Sequence, residues 1–528
     1  MTNLLRSGTV AIPATSGRPD VLSGAEKLLV LLSVSVPSFM INLDSNIVAV
    51  SLPSIAASLH ADFAAIEWVI SAYTLTFASL VMPAGALADR YGRKRTLVAG
   101  LALFTLASLI CGAAPNVAIL NAARAAQGVG AAFQLSAALA ILSHGFRGAE
   151  RARAFAFWGS VIGVAITLGP VAGGLITQEL GWKWAFYLNV PIGVAIIGVV
   201  LRSVRESRDP EAVGVDAPGL LSFSASLFLL TLGLISGSHR GWTSVPVLGE
   251  LIGAASLFAS FLVVEARQNR PMLDLRVFRH RTYVGANITS LAFAACFLTM
   301  LTFLPLYFQS GLRASPIRAG LLMLPMAIPL FALPRLVSAH LVHRLSGRVL
   351  LTIGLSLVSV GLFEMALAAP GFRYDAMLIG MLVAGCGAGI LNGEMAKVSM
   401  TLIPPERAGM ASGVGGTIRF SGIVIGFAAL GAVLYQRILG VICASLGPEH
   451  STAAAALARA VASGKLTAGG DAALATQAFG AGYQTMLFSA ATFAILSAII
   501  SWFCIGGDET RPIPKRHNGN RSSIMPVE

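Results

Sequence analysis

Apolar stretches long enough to cross a bilayer recur from residue 28 to residue 505, and no other feature limits the fold of this chain as tightly. A spanning helix needs roughly twenty mostly apolar residues. Inside hydrocarbon every backbone N–H and C=O must be satisfied within the protein, so such stretches become helices. Spans are expected at 28–52, 66–88, 96–114, 117–142, 154–176, 184–202, 217–237, 245–265, 283–309, 316–338, 348–369, 374–400, 410–436 and 482–505. Only 12% of the residues are charged. Soluble domains carry about a quarter, so this surface must largely face lipid. The 55 glycines suit helices that pack closely in a membrane. The expected class is an all-α protein of the inner (plasma) membrane, with fourteen transmembrane helices.

The basic residues orient it. With the N-terminus inside, Arg90, Arg93, Lys94 and Arg95 are cytoplasmic, as are Arg147, Arg151 and Arg153, then Arg202, Arg205 and Arg208, then Arg267, Arg270, Arg276, Arg279 and Arg281. The tail with Arg511, Lys515 and Arg516 also falls inside. Between Pro53 and Glu67 there is no Lys or Arg. This asymmetry is the positive-inside pattern and places both termini in the cytoplasm. It also accounts for the net charge of +13, so no nucleic-acid partner is expected. The five cysteines form no Cys-x-x-Cys pair and read as small membrane residues rather than metal ligands. No removable signal peptide is expected ahead of the first span.

Gly85-Ala-Leu-Ala-Asp89-Arg90-Tyr-Gly92-Arg93-Lys94-Arg95 closes the second span. Gly85 allows close packing and Gly92 a turn at positive φ. Asp89 is an acceptor among cations and can hold one conformation by charge-assisted bonds. Ser338 to Arg348 repeats the length and the basic ending after the tenth span, with Ser and His in place of Gly85 and Asp89. That echo, offset by two helices, divides the chain into a cytoplasmic tail (1–27), an N-terminal six-helix bundle (28–202), a linker with two extra spans (203–281), a C-terminal six-helix bundle (282–505) and a second tail (506–528). A periplasmic loop near 439–480 is expected to hold a short amphipathic helix. It reads as a solvated insertion, with a partner-docking surface as the alternative.

Two charges inside apolar spans carry the most weight. Arg124 lies in the fourth, where an unpaired guanidinium costs at least a few kcal/mol. It is either functional or a structural ion pair. Asp44 is the only carboxylate of the first span. It is either a proton or cation site or a permanently charged residue near the outer mouth. Glu394 and Lys397 are helical neighbours and either pair or leave Glu394 free to line a cavity.

The Gly85–Arg95 run resembles the loop between the second and third helices of the major facilitator superfamily. Leu120 to Ala131, with Arg124, Gln127 and Gly128, is similar to that family's fourth-helix motif. Gly163-Val-Ala-Ile-Thr-Leu-Gly169-Pro170-Val-Ala-Gly173-Gly174 resembles its fifth-helix antiporter motif, associated with exporters. The alternative for that run is a bent packing helix without directional meaning. Leu43-Asp44-Ser45-Asn46 through Pro53 resembles the first-helix signature of the fourteen-span drug:proton antiporters. Trp68 to Tyr73, Gly181 to Gly193, Leu304-Pro305-Leu-Tyr307-Phe308-Gln309, Ser315 to Pro325 and Pro404 to Gly413 with Arg419 continue the likeness. The second-half loop lacks the acidic residue, which puts a matching C-terminal latch in doubt.

The resemblance implies two bundles plus two inserted helices, and a proton-driven exporter of amphipathic, cationic drugs working by alternating access. Asp44 and Arg124 would couple protons. Gly85, Asp89, Arg90, Gly92 and Arg93 would form a conformational latch. Tyr73, Gln127, Tyr307, Phe308 and Glu394 are candidate cavity contacts. Alternatives are an exporter of one metabolite, lipid or siderophore, and a non-transporting receptor. No cofactor or metal is expected beyond the proton as coupling ion. The small-molecule cargo and lipid are expected partners, a periplasmic adaptor protein is a candidate, and a monomer suits the reading. There is no Gly-x-x-x-x-Gly-Lys-Ser/Thr loop and no histidine cluster, so no enzymatic activity is expected.

Overall fold

The computed structural model describes residues 24–510 except 147, 209–216, 269–274, 342–343, 402–407, 448–450, 467–471 and 509. Arg147, Arg270, His343, Glu406, Arg407, Asp471 and the basic residues of the C-terminal tail lie outside the described residues. The N-terminal bundle contains α1 (Gly24–Ser58), α2 (Phe63–Tyr91), α3 (Arg93–Ala113), α4 (Val117–Gly145), α5 (Gly148–Glu179) and α6 (Trp184–Ser203). The inserted pair is α7 (Ala217–Arg240) and α8 (Val245–Arg267). The C-terminal bundle contains α9 (Arg281–Ser310), α10 (Pro316–Leu322 then Leu324–Leu336), α11 (Gly347–Ala368), α12 (Tyr374–Thr401) and α13 (Ala408–Leu446). The short α14 (Ser451–Ala462) and the last span α15 (Ala472–Cys504) complete the chain. Among the described residues, thirteen helices are long and apolar enough to cross a membrane. The two pieces of α10, bent by 43°, make the fourteenth span.

Local chemistry sets the ends. Asp62 accepts from the Ala65 amide at 2.9 Å and Asn116 from the Ile119 amide at 2.9 Å, so α2 and α4 begin on side-chain caps. Ser315 caps α10 and Ser346 caps α11 in the same way. The periplasmic loop is shorter than its composition suggests. α13 runs on to Leu446 and α15 starts at Ala472, the latter through an Ala-rich stretch that favours helix. The amphipathic helix expected in this loop is α14.

The two bundles repeat each other in detail. The third and fourth helices of the first bundle cross at glycines: a Cβ on Gly130 would lie 2.6 Å from the Phe104 amide nitrogen. In the second bundle a Cβ on Gly387 would lie 2.7 Å from the Val358 nitrogen, where α12 crosses α11. The Arg93 amide donates to Ser207 O at 2.9 Å, and the Gly347 amide donates to Thr510 O at 2.9 Å. In each bundle, therefore, the segment after the sixth helix is tied to the start of the third. The inserted pair stays outside this symmetry. It leans on α2 and α13 through contacts such as Trp68 with Phe228, whose ring centres are 6.1 Å apart.

Candidate transport site

Asp44 and Arg124 meet at the heart of the N-terminal bundle. α1 presents Asp44 and α4 presents Arg124, with a 2.6 Å bond from Arg124 Nη1 to Asp44 Oδ2. Neither side chain has any exposed surface. Gln127, one turn after Arg124, donates to Asp44 Oδ1 at 3.0 Å and accepts from Arg124 Nη1 at 2.7 Å. It also donates to Ser108 Oγ at 2.8 Å, which recruits α3. Asn189 of α6 donates to Asp44 Oδ1 at 2.9 Å, and Arg124 Nε donates to the Val69 carbonyl of α2 at 3.0 Å. Five helices thus converge on one carboxylate and one guanidinium. A buried pair is favourable only when its remaining donors and acceptors are met, and here both carboxylate oxygens are used. One donor is left over: Arg124 Nη2 has no partner among the described residues. The Tyr73 ring lies 4.1 Å from the guanidinium carbon.

Beside this node the bundles enclose a cavity of about 410 Å³, a size suited to a small organic molecule. Arg124 and Tyr73 line it from the N-terminal side, with Ile41, Phe77 and Trp158 as an apolar wall. The C-terminal wall includes Asn287, Asn392, Arg419 and Phe420. Arg419 Nη1 donates to Asn392 Oδ1 at 3.4 Å, and its guanidinium sits 5.5 Å from the Phe293 ring centre. Among the described residues no Asp or Glu lines the cavity.

The sequence candidates are distributed unevenly around it. Tyr73 and Arg124 reach the cavity wall, while Asp44 and Gln127 stand one layer behind. Tyr307 and Phe308 are not on the wall. They join Phe372, Phe479 and Tyr483 in an aromatic cluster, and Tyr307 Oη donates to the Ala369 carbonyl at 2.7 Å. Ring stacking and one buried hydrogen bond use both faces and the hydroxyl there. Glu394 is also buried off the wall, with Oε2 at 3.3 Å from Lys397 Nζ, the pairing its helical spacing allowed.

The cytoplasmic loop is built by residues beyond its own motif. Asp89 accepts from Arg93 Nε at 2.9 Å and Nη2 at 2.8 Å. Arg90 stacks on Tyr91. Gly92 has φ +117, and a Cβ there would also lie 2.6 Å from the Glu206 carboxyl carbon. Glu206 accepts from the Lys94 and Arg95 amides at 3.1 and 3.2 Å, so its carboxylate caps the positive end of α3. Gly85 has open space around its missing side chain.

The fifth-helix glycines carry the seam between bundles. A Cβ on Gly174 would run into the Pro316 carbonyl, and one on Gly320 into the Pro170 carbonyl. Gly173 lies against Ile47 Cα, where a Cβ would be 2.8 Å away, and Gly169 against Asn46. Gly163 faces the Phe331 ring across the seam, where a Cβ would lie 2.8 Å from a ring carbon. Further out, Gln309 donates to the Val50 carbonyl at 2.7 Å. With the termini inside, the backbone contacts of α5 with α10 and the Gln309 bond all lie in the outer half.

Three residues escaped the motif reading: Glu206, Asn189 as a ligand of Asp44, and Arg419 as a cavity wall. Asn189 and Arg419 stand in segments whose family likeness was visible, but their neighbours come from helices far away in sequence.

A two-bundle membrane protein with a central cavity, a buried ion pair beside it and a glycine seam has the architecture of a transporter. The profile of the Major Facilitator Superfamily matches residues 35–427, and the chain belongs to that family. It is a multi-pass plasma-membrane transporter and not an enzyme. It is 38% identical over 412 residues to the multidrug resistance protein Stp of Mycobacterium tuberculosis, covering 77% of this chain and 76% of that one. It is 33% identical to the methylenomycin A resistance protein of Streptomyces coelicolor, covering 83% and 91%. It is 32% identical to the drug efflux pump JefA of Mycobacterium tuberculosis, covering 77% and 80%. Among solved structures, a bacterial homolog of the human lysosomal transporter Spinster superposes with a TM-score of 0.62 at 15% identity, over 93% of this chain and 99% of that one. A peptide transporter, POT, superposes with a TM-score of 0.61, also at 15% identity, over 91% and 95%. These two likenesses concern the fold.

Proposed function

We propose that this chain exports amphipathic drugs or other toxic compounds across the plasma membrane in exchange for protons. Its relatives named for drug resistance and efflux support the cargo class. The single observation that carries the coupling is the buried Asp44–Arg124 pair, with Arg124 on the cavity wall and Asp44 one layer behind it. In the charged state Asp44 pins Arg124 against the Tyr73 ring. A proton on Asp44 removes that charge, frees the guanidinium and reshapes the wall at Tyr73. Proton and cargo then occupy alternate states, and the two bundles rock about the cavity between them. The outer seam at Gly174 and Gly320 holds one facing state, and the Asp89–Arg93 loop with Glu206 stabilises it from the cytoplasmic side.

The test is dye accumulation in cells lacking their main efflux pumps, with ethidium, anilinonaphthalene sulfonate and phenyl naphthylamine as probes. Wild type should lower accumulation of at least one probe, and an uncoupler or Asp44→Asn should abolish the effect. Accumulation matching the empty vector for all probes would sink the export reading. Efflux that survives the uncoupler would sink proton coupling.

A further inference from the structure

The cavity wall carries charge of one sign. Arg124 is balanced by Asp44. Arg419 has no carboxylate partner among the described residues. Of its five N–H donors, the described contacts use one, a long 3.4 Å bond to Asn392, and the guanidinium lies over the Phe293 ring at 5.5 Å. Glu394, two positions beyond the wall residue Asn392 on α12, is paired with Lys397. An intramembrane guanidinium held without a carboxylate is expensive, and such residues face a water-filled cavity and mark substrate pathways. On the opposite wall, Arg124 Nη2 is a donor without an acceptor among the described residues. The described polar lining therefore offers cationic and neutral donors, with no anionic acceptor.

We propose that the cavity receives its cargo by a negatively charged group, a carboxylate or comparable organic anion, seated on Arg419, with the apolar body against Trp158, Phe77 and Phe420. This rests on the export reading and reverses the cationic cargo expected from the motifs. A cationic drug would meet a like charge and find no counter-ion on the described wall. The planar guanidinium matches a two-oxygen anion in geometry. The inside-negative membrane potential also favours the exit of an anion.

The probes are a matched pair: anilinonaphthalene sulfonate, and phenyl naphthylamine, which shares its rings but has no charge. Each is titrated by fluorescence against the full chain in phosphatidylcholine nanodiscs. Removal of one charge-assisted contact should weaken sulfonate binding about tenfold in Arg419→Gln. Phenyl naphthylamine binding should be unchanged, and Arg419→Lys should recover part of the sulfonate affinity. Equal sulfonate binding by wild type and Arg419→Gln would overturn the proposal. So would a parallel loss of both probes, which would mean that Arg419 only shapes the wall. Nanodiscs containing phosphatidylglycerol separate the sources of anion. If that lipid displaces the sulfonate from wild type, the occupant is a headgroup and the cargo assignment fails; undiminished binding supports it. Sulfonate binding without efflux of any dye from cells would sink the export reading and leave the anion site standing.

Discussion

Arg124 and Asp44, separated by eighty positions in the chain, form a 2.6 Å ion pair with no exposed surface on either side chain. Removing one partner of such a pair leaves a bare charge and costs about 3–5 kcal/mol. Arg124→Ala and Asp44→Ala should each lower the thermal midpoint of the detergent-purified protein, and the double variant should lose clearly less than the sum. The measurement is a double-mutant cycle by tryptophan-monitored unfolding. Additive losses would mean that the two side chains do not act as a unit.

The cap on α3 predicts a local effect. Glu206→Gln weakens the acceptor of the Lys94 and Arg95 amides, worth about 1 kcal/mol for a helix N-terminus. Hydrogen exchange should speed up several-fold at those two amides and stay unchanged at the mid-bundle amides of α3. Gly92→Ala should do more, since it adds strain at positive φ of about 1–3 kcal/mol and meets the same carboxylate. Identical exchange in wild type and both variants would remove Glu206 from the account of the loop.

The outer seam predicts a change of state rather than of stability alone. Gly320→Leu cannot be accommodated against the Pro170 carbonyl and must push α10 away from α5. Asn46, on the cavity wall, should then react faster from outside when introduced as Asn46→Cys and probed with a membrane-impermeant maleimide. Equal labelling with and without Gly320→Leu would show that the glycine contact does not seal the outer side.

Tyr307 separates packing from cargo contact. Its hydroxyl donates to the Ala369 carbonyl within an aromatic cluster away from the cavity. Tyr307→Phe should cost about 1 kcal/mol of stability and leave dye efflux at the wild-type rate once expression is matched. A changed dye preference would move Tyr307 back among the cargo contacts.

These contrasts show what was legible in the sequence. The fourteen spans were readable because a bilayer imposes one length and one polarity on every crossing helix. The broken α10, the late end of α13 and the early start of α15 strayed furthest. Asp44 and Arg124 were legible as lone charges in apolar runs, but not as a pair, since pairing is decided by how α1 and α4 cross. Asn189 and Glu206 were invisible as partners for the same reason. Tyr307 and Phe308 show the converse: an aromatic in a motif can serve a cavity or a core, and only packing distinguishes them. Arg419 was visible as a residue, but its lack of a carboxylate partner required the whole wall.

The most direct test of the account is proton movement through Asp44. Everted membrane vesicles are energised, and an acridine dye reports the pH gradient while ethidium, anilinonaphthalene sulfonate or phenyl naphthylamine is added. The account predicts that at least one probe, with the sulfonate foremost, partly collapses the gradient in wild-type vesicles and leaves it intact in Asp44→Asn vesicles with matched expression. An undisturbed gradient in wild type, while the same probe is exported from cells, would contradict it. So would an equal collapse in Asp44→Asn.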